Sequence, residues 1–379
     1  MLLALLLAQE QLVGTRAKGM GGGYTAFDDD PTSIWLNPAG MAGQPTQLAI
    51  HYQSHTAYEP QTQPGAGSGK GFAETTFNSP LIIPSYLGVV WRLGTPEKSR
   101  SFGLAYISPF HVDLTYDTDG ADGQFDLVAD QRFDRVRFAF AQGLRLRPVG
   151  EAGWLPYVSV GGGIDIGYTE VKVTQFGATS QSFDDSDSGL SGGVGVLVTI
   201  YDNTEDLRLN FGMALQLPVK YDLQVSTGQA PLFDWPAQVT AGLSLHLFQG
   251  TPLRTSLDVQ YTAWDRATGD SDVPGAPDVP ETISVSFGVE YRFQIGDDWF
   301  LTPRAGYRRF DAPWGRASNL PAIDNRQFVI ETDAGAFNMV SVGVSVTWRT
   351  EDGRTRTVEI GADVGGDRVS YALGYVHEF

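Results

Sequence analysis

The chain ends in Ser370-Tyr-Ala-Leu-Gly-Tyr-Val-His-Glu-Phe379, an alternating segment that stops on a phenylalanine. Successive side chains of a β-strand point to opposite faces, so this segment has one apolar face and one small or polar face. The apolar face carries Tyr371, Leu373, Tyr375, His377 and Phe379. A strand of this kind is typical of a wall between lipid and a polar lumen. An edge strand of a soluble β-sandwich is the alternative at this point.

The same period of two recurs from about residue 46 to the C-terminus. In one run Phe138 and Phe140 oppose Arg135 and Arg137, and the polar faces are otherwise rich in Gly, Ser, Ala and Thr. Small residues on that face indicate a lumen packed with other protein atoms. Candidate strands lie at 46–58, 81–94, 99–116, 125–148, 154–176, 187–201, 206–226, 234–249, 252–266, 281–295, 298–312, 333–350, 354–365 and 367–379. We therefore predict an all-β, transmembrane antiparallel β-barrel of about 14 strands, an even number as in bacterial single-chain barrels.

The predicted connections alternate in length. Even-numbered ones are short, such as Gly250-Thr-Pro252 and Glu351-Asp-Gly353, whereas odd-numbered ones are mostly long. The long ones are 59–80, 117–124, 177–186, 267–280 and 313–332. Short periplasmic turns that alternate with long outer loops are typical of outer-membrane barrels. A soluble β-protein has no reason to sort its loops in this way.

The outer loops are acidic, as in Asp184-Asp-Ser-Asp187. We interpret them as solvated loop tips. Divalent cations that bridge to lipopolysaccharide, or a calcium site, are the alternatives, although the spacing does not match a calcium-loop motif.

Composition excludes several classes of protein. None of the apolar runs approaches the ~18 residues of a membrane-spanning helix, which excludes a helical membrane protein. The chain has no cysteine, which excludes disulfides, thiolate catalysis and cysteine-bound metals. The formal net charge of −18 disfavours nucleic acid as a partner. No nucleophile-elbow motif occurs, and Ser108 near His111 has no orienting acid, so we predict no enzyme, no catalytic residue, no metal and no cofactor.

The first eight residues, Met-Leu-Leu-Ala-Leu-Leu-Leu-Ala8, resemble the apolar core of a signal peptide. They lack a basic n-region and are short for an export signal. We interpret residues 1–8 as a truncated export signal, with cleavage near Ala8 and a mature chain that begins close to Gln9. A misplaced start codon and a buried N-terminal segment are the alternatives.

Residues 14–43 do not alternate. Asp30 and Pro31 can begin a short helix as N-cap and first helical residue, and Asn37-Pro38 then breaks it. Glycines at 19, 21, 22 and 23 allow tight turns and close packing. We predict that residues 9–45 form a hatch that folds back into the lumen of a barrel at 46–379. A periplasmic arm is the alternative.

A family resemblance is carried by Gly19-Met20-Gly21-Gly22 and Trp35-Leu36-Asn37-Pro38-Ala39-Gly40. These residues resemble the hatch signature of the FadL/TodX family of outer-membrane transporters for long-chain fatty acids and other hydrophobic compounds. Leu104-Ala-Tyr-Ile-Ser-Pro109-Phe110 and Tyr261-Thr-Ala-Trp264 are similar to two of its strand motifs, although His111 and Asp265 depart from them. The resemblance implies fourteen strands and hatch residues Gly21, Gly22, Trp35, Asn37, Pro38 and Gly40.

The resemblance also implies capture of a hydrophobic small molecule at the outer loops, hatch movement, and lateral release into the membrane. Lateral release needs a break in the wall. Pro109 cannot donate a ladder hydrogen bond, so we predict a gate at Pro109 and Phe110. The alternative is that the strand ends there and restarts.

A carboxylate ligand would need a basic anchor. The lumen-facing candidates are Arg135, Arg137, Arg304 and Arg308. Ion pairs with Glu290, Asp258 or Glu359 that fill the lumen are the alternative role. Phe233, Trp235 and Trp314 are candidates for an outer ligand groove, with the interfacial aromatic girdle as the alternative.

Further expected partners are membrane lipid, lipopolysaccharide, and the barrel-assembly machinery, which would read Phe379. A barrel that assists assembly or secretion without transport remains the alternative function. A transporter requires an apolar ligand site and a wall gap near Pro109, and a secretion component requires neither.

Overall fold

The computed structural model describes residues 12–62, 72–79, 84–95, 99–116, 127–147, 151–175, 181–203, 206–222, 234–247, 253–263, 281–311, 336–365 and 368–379. Predictions for the signal-like segment, for Phe233 and for Trp314 fall outside these ranges.

Within the described ranges the strands form one continuous antiparallel sheet. They are β1 (Gln47–Thr62), β2 (Phe72–Ser79), β3 (Tyr86–Arg92), β4 (Arg100–Tyr116), β5 (Leu127–Arg145), β6 (Gly153–Gln175), β7 (Gln181–Asn203), β8 (Leu207–Gln216), β9 (Ala237–Leu247), β10 (Leu253–Ala263), β11 (Thr282–Tyr291), β12 (Phe293–Gln294), β13 (Trp299–Asp311), β14 (Ala336–Arg349), β15 (Thr355–Gly365) and β16 (Arg368–Glu378).

The sheet closes on itself because β1 pairs with β16, from Gln47 opposite Glu378 onward. Two wall strands are interrupted. The segments β2 and β3 both pair with β1 and β4, and β11 and β12 both pair with β13. The sixteen described segments therefore build fourteen wall strands, which confirms the predicted fourteen-stranded antiparallel barrel.

Three predicted boundaries were wrong. Strand β7 begins at Gln181, so the acidic run that was assigned to the loop 177–186 lies in a strand, where Asp184 pairs with Lys172. The predicted loop 59–80 contains the C-terminal end of β1, residues 59–62, and all of β2. Where a strand extends beyond the membrane, both of its faces can be polar, so the alternation of apolar and polar residues no longer marks it as a strand. The strand predicted at 206–226 ends at Gln216, since Pro218 cannot continue the ladder.

The faces of the strands have the predicted phase. Ile283 and Phe287 of β11 are exposed on the outside, whereas Ser284 and Ser286 between them are buried. Tyr371 and Leu373 of the C-terminal strand are likewise exposed, while Ala372 is buried. This apolar exterior is what a membrane-spanning barrel presents to lipid. In the part of the chain that the structure describes, no helix is long and apolar enough to cross a membrane.

Residues 12–46, here called the lumen segment, pack against the inward-facing side chains of the wall. They contain helix α1 (Thr15–Gly19), helix α2 (Ser33–Leu36) and a 3₁₀ helix (Pro38–Gly43). Most of these residues are buried. Wall residues that contact this segment include glycines. A Cβ at Gly361 would lie 2.8 Å from the Thr15 carbonyl oxygen. Small lumen-facing residues thus let two backbones meet.

Candidate functional site

A buried ion-pair network fixes the first part of the lumen segment to the wall. Arg16 Nη2 lies 2.5 Å from Glu290 Oε1 on β11, and Arg304 Nε on β13 lies 2.8 Å from Glu290 Oε2. Arg304 Nη2 also lies 3.4 Å from Glu359 Oε1 on β15. Because these groups are buried, removal of one charge would leave its partners uncompensated. Arg304 therefore fills the lumen through ion pairs, the alternative that we gave for it.

Asp29 extends this network toward a more open position. Its carboxylate oxygens lie 2.8 Å from Arg16 Nη1 and 2.5 Å from Arg254 Nη1. Burial by itself would raise the pKa of Asp29, but the two guanidinium groups outweigh burial and hold that pKa well below its usual value. The Asp29 side chain is 36% exposed, so solvent screens its ion pairs more than those of Glu290.

Asn37 organises the middle of the lumen segment. Its Nδ2 donates to the carbonyl oxygens of Thr25, at 2.8 Å, and of Val196 on β7, at 3.1 Å. Its Oδ1 accepts from the Ala39 amide at 3.2 Å and so caps the 3₁₀ helix, which Pro38 begins. One side chain thus joins two turns of the lumen segment to each other and to the wall.

The predicted hatch glycines occupy positions that a larger residue would not fit. Gly21 and Gly22 have φ angles of 67° and 95°, in the left-handed region that favours glycine. A Cβ at Gly40 would lie 2.6 Å from the Phe27 carbonyl oxygen. The motif therefore encodes the local path of the backbone.

Two neighbouring lumen arginines on β5 differ sharply in their hydrogen bonding. Arg137 makes a bidentate pair with Asp165, with both N–O distances at 2.5 Å, and its Nη1 donates to the Trp35 carbonyl at 3.2 Å. Arg135 is 1% exposed, and its nearest carboxylate oxygen, on the same Asp165, is 3.6 Å away. None of the three Arg135 nitrogens has a hydrogen-bond partner among the described residues.

Aromatic side chains surround Arg135. Its guanidinium carbon lies 5.1 Å from the ring centre of Trp35 in α2 and 4.6 Å from that of Trp235. Phe133 packs 5.7 Å from Trp235 and 5.9 Å from Tyr221 between ring centres. Burial raises the pKa of Tyr221 to about 12, against the opposing effect of Arg135. We call Trp35, Phe133, Arg135, Tyr221 and Trp235 the Arg135 cluster.

A break in strand register lies beside this cluster. Ile107 of β4 pairs with Arg135, but the next pair is Phe110 with Phe133, so Ser108 and Pro109 together oppose one residue. Two residues opposite one define a β-bulge, which bends the strand. Pairing of β4 with β3 ends at Ile107 and pairing with β2 begins only at Asp113. Residues 80–83, between β2 and β3, lie outside the described part of the chain.

Tyr86 connects the bulge to the lumen segment. It pairs with Ile107 at the end of the β3–β4 ladder, and its hydroxyl donates to the Pro31 carbonyl at 2.5 Å, just before α2.

The remaining predicted residues lie apart from the cluster. Arg308 on β13 is buried, with its guanidinium 5.0 Å from the ring centre of Phe310. Asp258 pairs with no arginine in the described ranges; its Oδ2 accepts the Tyr24 and Thr25 amides at 2.9 and 2.8 Å. Sequence reasoning missed Phe133, Tyr221 and Asp165. Asp165 had a usable signal, because it lies in the lumen phase of the run Gly161-Gly-Gly-Ile-Asp165.

The fold defines the class of protein. A closed barrel with an apolar exterior satisfies every wall hydrogen bond internally, which is the way in which β-structure spans a membrane. Residues 12–46 contact inward-facing residues of this barrel.

Comparison with known proteins finds solved structures that are similar to this chain. No family model and no curated protein matches the sequence. A Pseudomonas aeruginosa FadL homologue aligns over 98% of this chain and 99% of its own, with 15% identity and a TM-score of 0.62. The Ralstonia pickettii toluene transporter TbuX (16% identity, TM-score 0.59) and the Pseudomonas putida toluene transporter TodX (12%, 0.58) align over the same shares. The chain therefore has the fold of these three proteins.

Proposed function

We propose that this protein is an outer-membrane channel for the passive uptake of hydrophobic molecules, and that the Arg135 cluster is its ligand site. The observation that carries the proposal is the state of Arg135, a buried guanidinium between two tryptophan rings without a hydrogen-bond partner among the described residues. A buried donor without an acceptor is costly, so the site favours a ligand that supplies one. Support also comes from the fold, which is shared with two toluene transporters.

Two ligand chemistries fit such a site. A long-chain fatty acid would place its carboxylate on Arg135 by a charge-assisted, bidentate contact and its tail against Phe133 and Trp235. An aromatic hydrocarbon would instead stack on the tryptophan rings and use the guanidinium only through its cation–π geometry.

Ligand binding would act on the lumen segment through Trp35. This residue contacts Arg135, and its carbonyl accepts from Arg137 Nη1 and from Gln216 Nε2 at 2.8 Å. A ligand that enters between Trp35 and Trp235 would displace α2, which is the hatch movement that we propose. Release would follow sideways at the bulge of Ser108 and Pro109, the proposed gate. Outer-membrane lipid and lipopolysaccharide would surround the barrel, and Phe379 would guide its assembly.

The test measures saturable binding of radiolabelled oleate and of radiolabelled toluene to the detergent-folded barrel. Arg135→Met removes the charge and keeps most of the volume. We expect it to weaken oleate binding about tenfold or more and to change toluene binding little, because one charged hydrogen-bond donor is lost. Arg309→Met is the matched control, since Arg309 lies on the outer face of β13 and is exposed.

An equal effect of the two substitutions would remove Arg135 from the ligand site. A barrel without a transport function is the second candidate, and the buried Arg16–Glu290–Arg304 pairs, which tie the lumen segment to the wall, favour it. Wild-type protein that binds neither ligand saturably would support this second candidate and leave the fold unchanged.

A further inference from the structure

Helix α1 begins without a capping side chain of its own, because its N-cap residue is Gly14. The wall supplies the missing acceptor. The Thr15 amide, the first of the helix, donates to Nδ1 of His51 on β1 at 3.1 Å, and the Thr15 hydroxyl lies 2.8 Å from the same nitrogen. The first amides of a helix have no partner within the helix, so this contact satisfies one of them from outside.

The contact determines the protonation state of His51. A backbone N–H can only donate, so Nδ1 must be unprotonated and the ring proton must lie on Nε2. The imidazole is therefore neutral. Its Nε2 is buried and has no hydrogen-bond partner in the described ranges, and the whole residue is 1% exposed.

The wall is shaped for this contact. Gly374 of β16 lies opposite His51, and a Cβ there would lie 2.6 Å from His51 Nδ1 and 2.7 Å from the Thr15 hydroxyl. On its other side His51 pairs with Tyr86, whose ring lies edge-on at 5.5 Å between centres. His51 is thus in the same row as Tyr86, Ile107 and Arg135, along the lower edge of the bulge.

Charged groups near His51 come from the lumen segment and from the wall. Lys18 of α1 is 3.3 Å from Asp363 of β15 and also donates to the Ser370 hydroxyl of β16. Asp30 of the lumen segment acts on the imidazole through its charge, and it caps the next turn by accepting from the Thr32 amide at 2.7 Å. Lys18 already pairs with Asp363, so protonation of His51 would add a second cation where α1 meets the wall.

We propose that His51 is a proton-operated latch that holds the start of the lumen segment against the wall. Protonation at Nδ1 turns the acceptor of the Thr15 amide into a donor that faces the same N–H. That hydrogen bond is lost, and the Thr15 hydroxyl keeps its contact only by accepting from Nδ1, so the first amide of α1 loses its acceptor. Acidification thus loosens the region around Thr15–Gly19, while the Asn37 contacts, which contain no titratable group, stay closed. This latch concerns the movement of the lumen segment and does not depend on the ligand assigned to the Arg135 cluster.

The test measures backbone amide exchange of the full-length, detergent-folded barrel at about pH 7.5 and about pH 5, on either side of the ordinary histidine pKa. Protection factors corrected for intrinsic rates are compared for peptides that cover Thr15–Gly19. We expect protection there to fall about tenfold at the lower pH, and protection near Asn37 to stay constant.

His51→Asn is the informative variant, because its amide oxygen can take the place of Nδ1 and cannot be protonated in this range. It should keep the protection of α1 at both pH values. His377→Asn is the control, since His377 contacts Tyr375 and Phe379 near the end of the chain. It should keep the pH dependence of the wild type.

A fall in protection that persists in His51→Asn would assign the effect to other groups and overturn the proposal. Constant protection in the wild type down to about pH 4.5 would overturn it as well. His51→Phe, which has no acceptor, is a second test. The backbone amides of α1 should then exchange rapidly at every pH.

Discussion

The Tyr86 hydroxyl donates a 2.5 Å hydrogen bond to the Pro31 carbonyl and so joins the wall beside the bulge to the lumen segment just before α2. The same carbonyl also accepts from the Ile34 amide at 3.0 Å, within the turn that leads into α2. Wall and lumen segment therefore share one acceptor at the point where the β3–β4 ladder stops. A substitution at Tyr86 should therefore destabilise α2 before other parts of the lumen segment.

We predict that Tyr86→Phe loosens α2 by about 1 kcal/mol, because one hydrogen bond is lost while the ring and the Ile34 contact remain. Gly88→Ala should have at least this effect, since a Cβ at Gly88 would lie 2.5 Å from the Tyr86 ring carbon Cζ. Amide exchange of peptides covering Ser33–Leu36 is the measurement. Gly296→Ala, whose Cβ would meet nothing closer than 3.8 Å, is the control and should match the wild type.

Asn37→Ala should destabilise the lumen segment by about 2 to 3 kcal/mol. The substitution leaves the Thr25 and Val196 carbonyls and the Ala39 amide without their partner, and each of these groups is buried or partly buried. We expect faster exchange throughout residues 25–43 with an intact barrel by circular dichroism. Asn203→Ala, at the end of β7, should leave this exchange unchanged, and equal effects would contradict the organising role of Asn37.

Glu290→Gln should lower the free energy of unfolding by about 3 kcal/mol or more, because it leaves Arg16 and Arg304 buried without their shared carboxylate. Urea titration of the folded barrel in detergent measures the change. Asp352→Asn breaks the exposed pair with Arg354 and should have no measurable effect. Similar losses in both variants would mean that the lumen network adds nothing beyond a surface pair.

The Asp29 network should weaken in acid. The pKa of Asp29 is lower in the folded protein than in the unfolded chain, so its contribution is present above the unfolded value of about 4 and declines as the pH falls below it. Asp29→Asn removes this contribution. The stability difference between wild type and variant should therefore be constant between about pH 6 and about pH 8 and shrink below about pH 4. A difference that grows on acidification would contradict this assignment.

The alternation of the C-terminal segment 370–379 was enough to predict the barrel. Side-chain direction in a strand has a period of two, and a membrane rewards an apolar outer face, so Tyr371 and Leu373 had to face outward. The same rule placed Arg135 and Arg137 in the lumen. It failed for Asp184, in a strand that was taken for a loop, because the outer faces of the strands lose their apolar residues beyond the membrane.

The sequence by itself determined the barrel topology, the direction of the strand side chains, and the turns at the glycines and at Asn37. These features depend on local backbone geometry and on the boundary between lipid and the polar lumen. Only the tertiary structure decided which buried charge is satisfied. Arg137 and Arg135 both point into the lumen, yet Arg137 hydrogen-bonds Asp165 and Arg135 does not. The Thr15–His51 contact likewise joins residues far apart in the chain. Such pairs depend on strand register and on the path of the lumen segment, which no local pattern encodes.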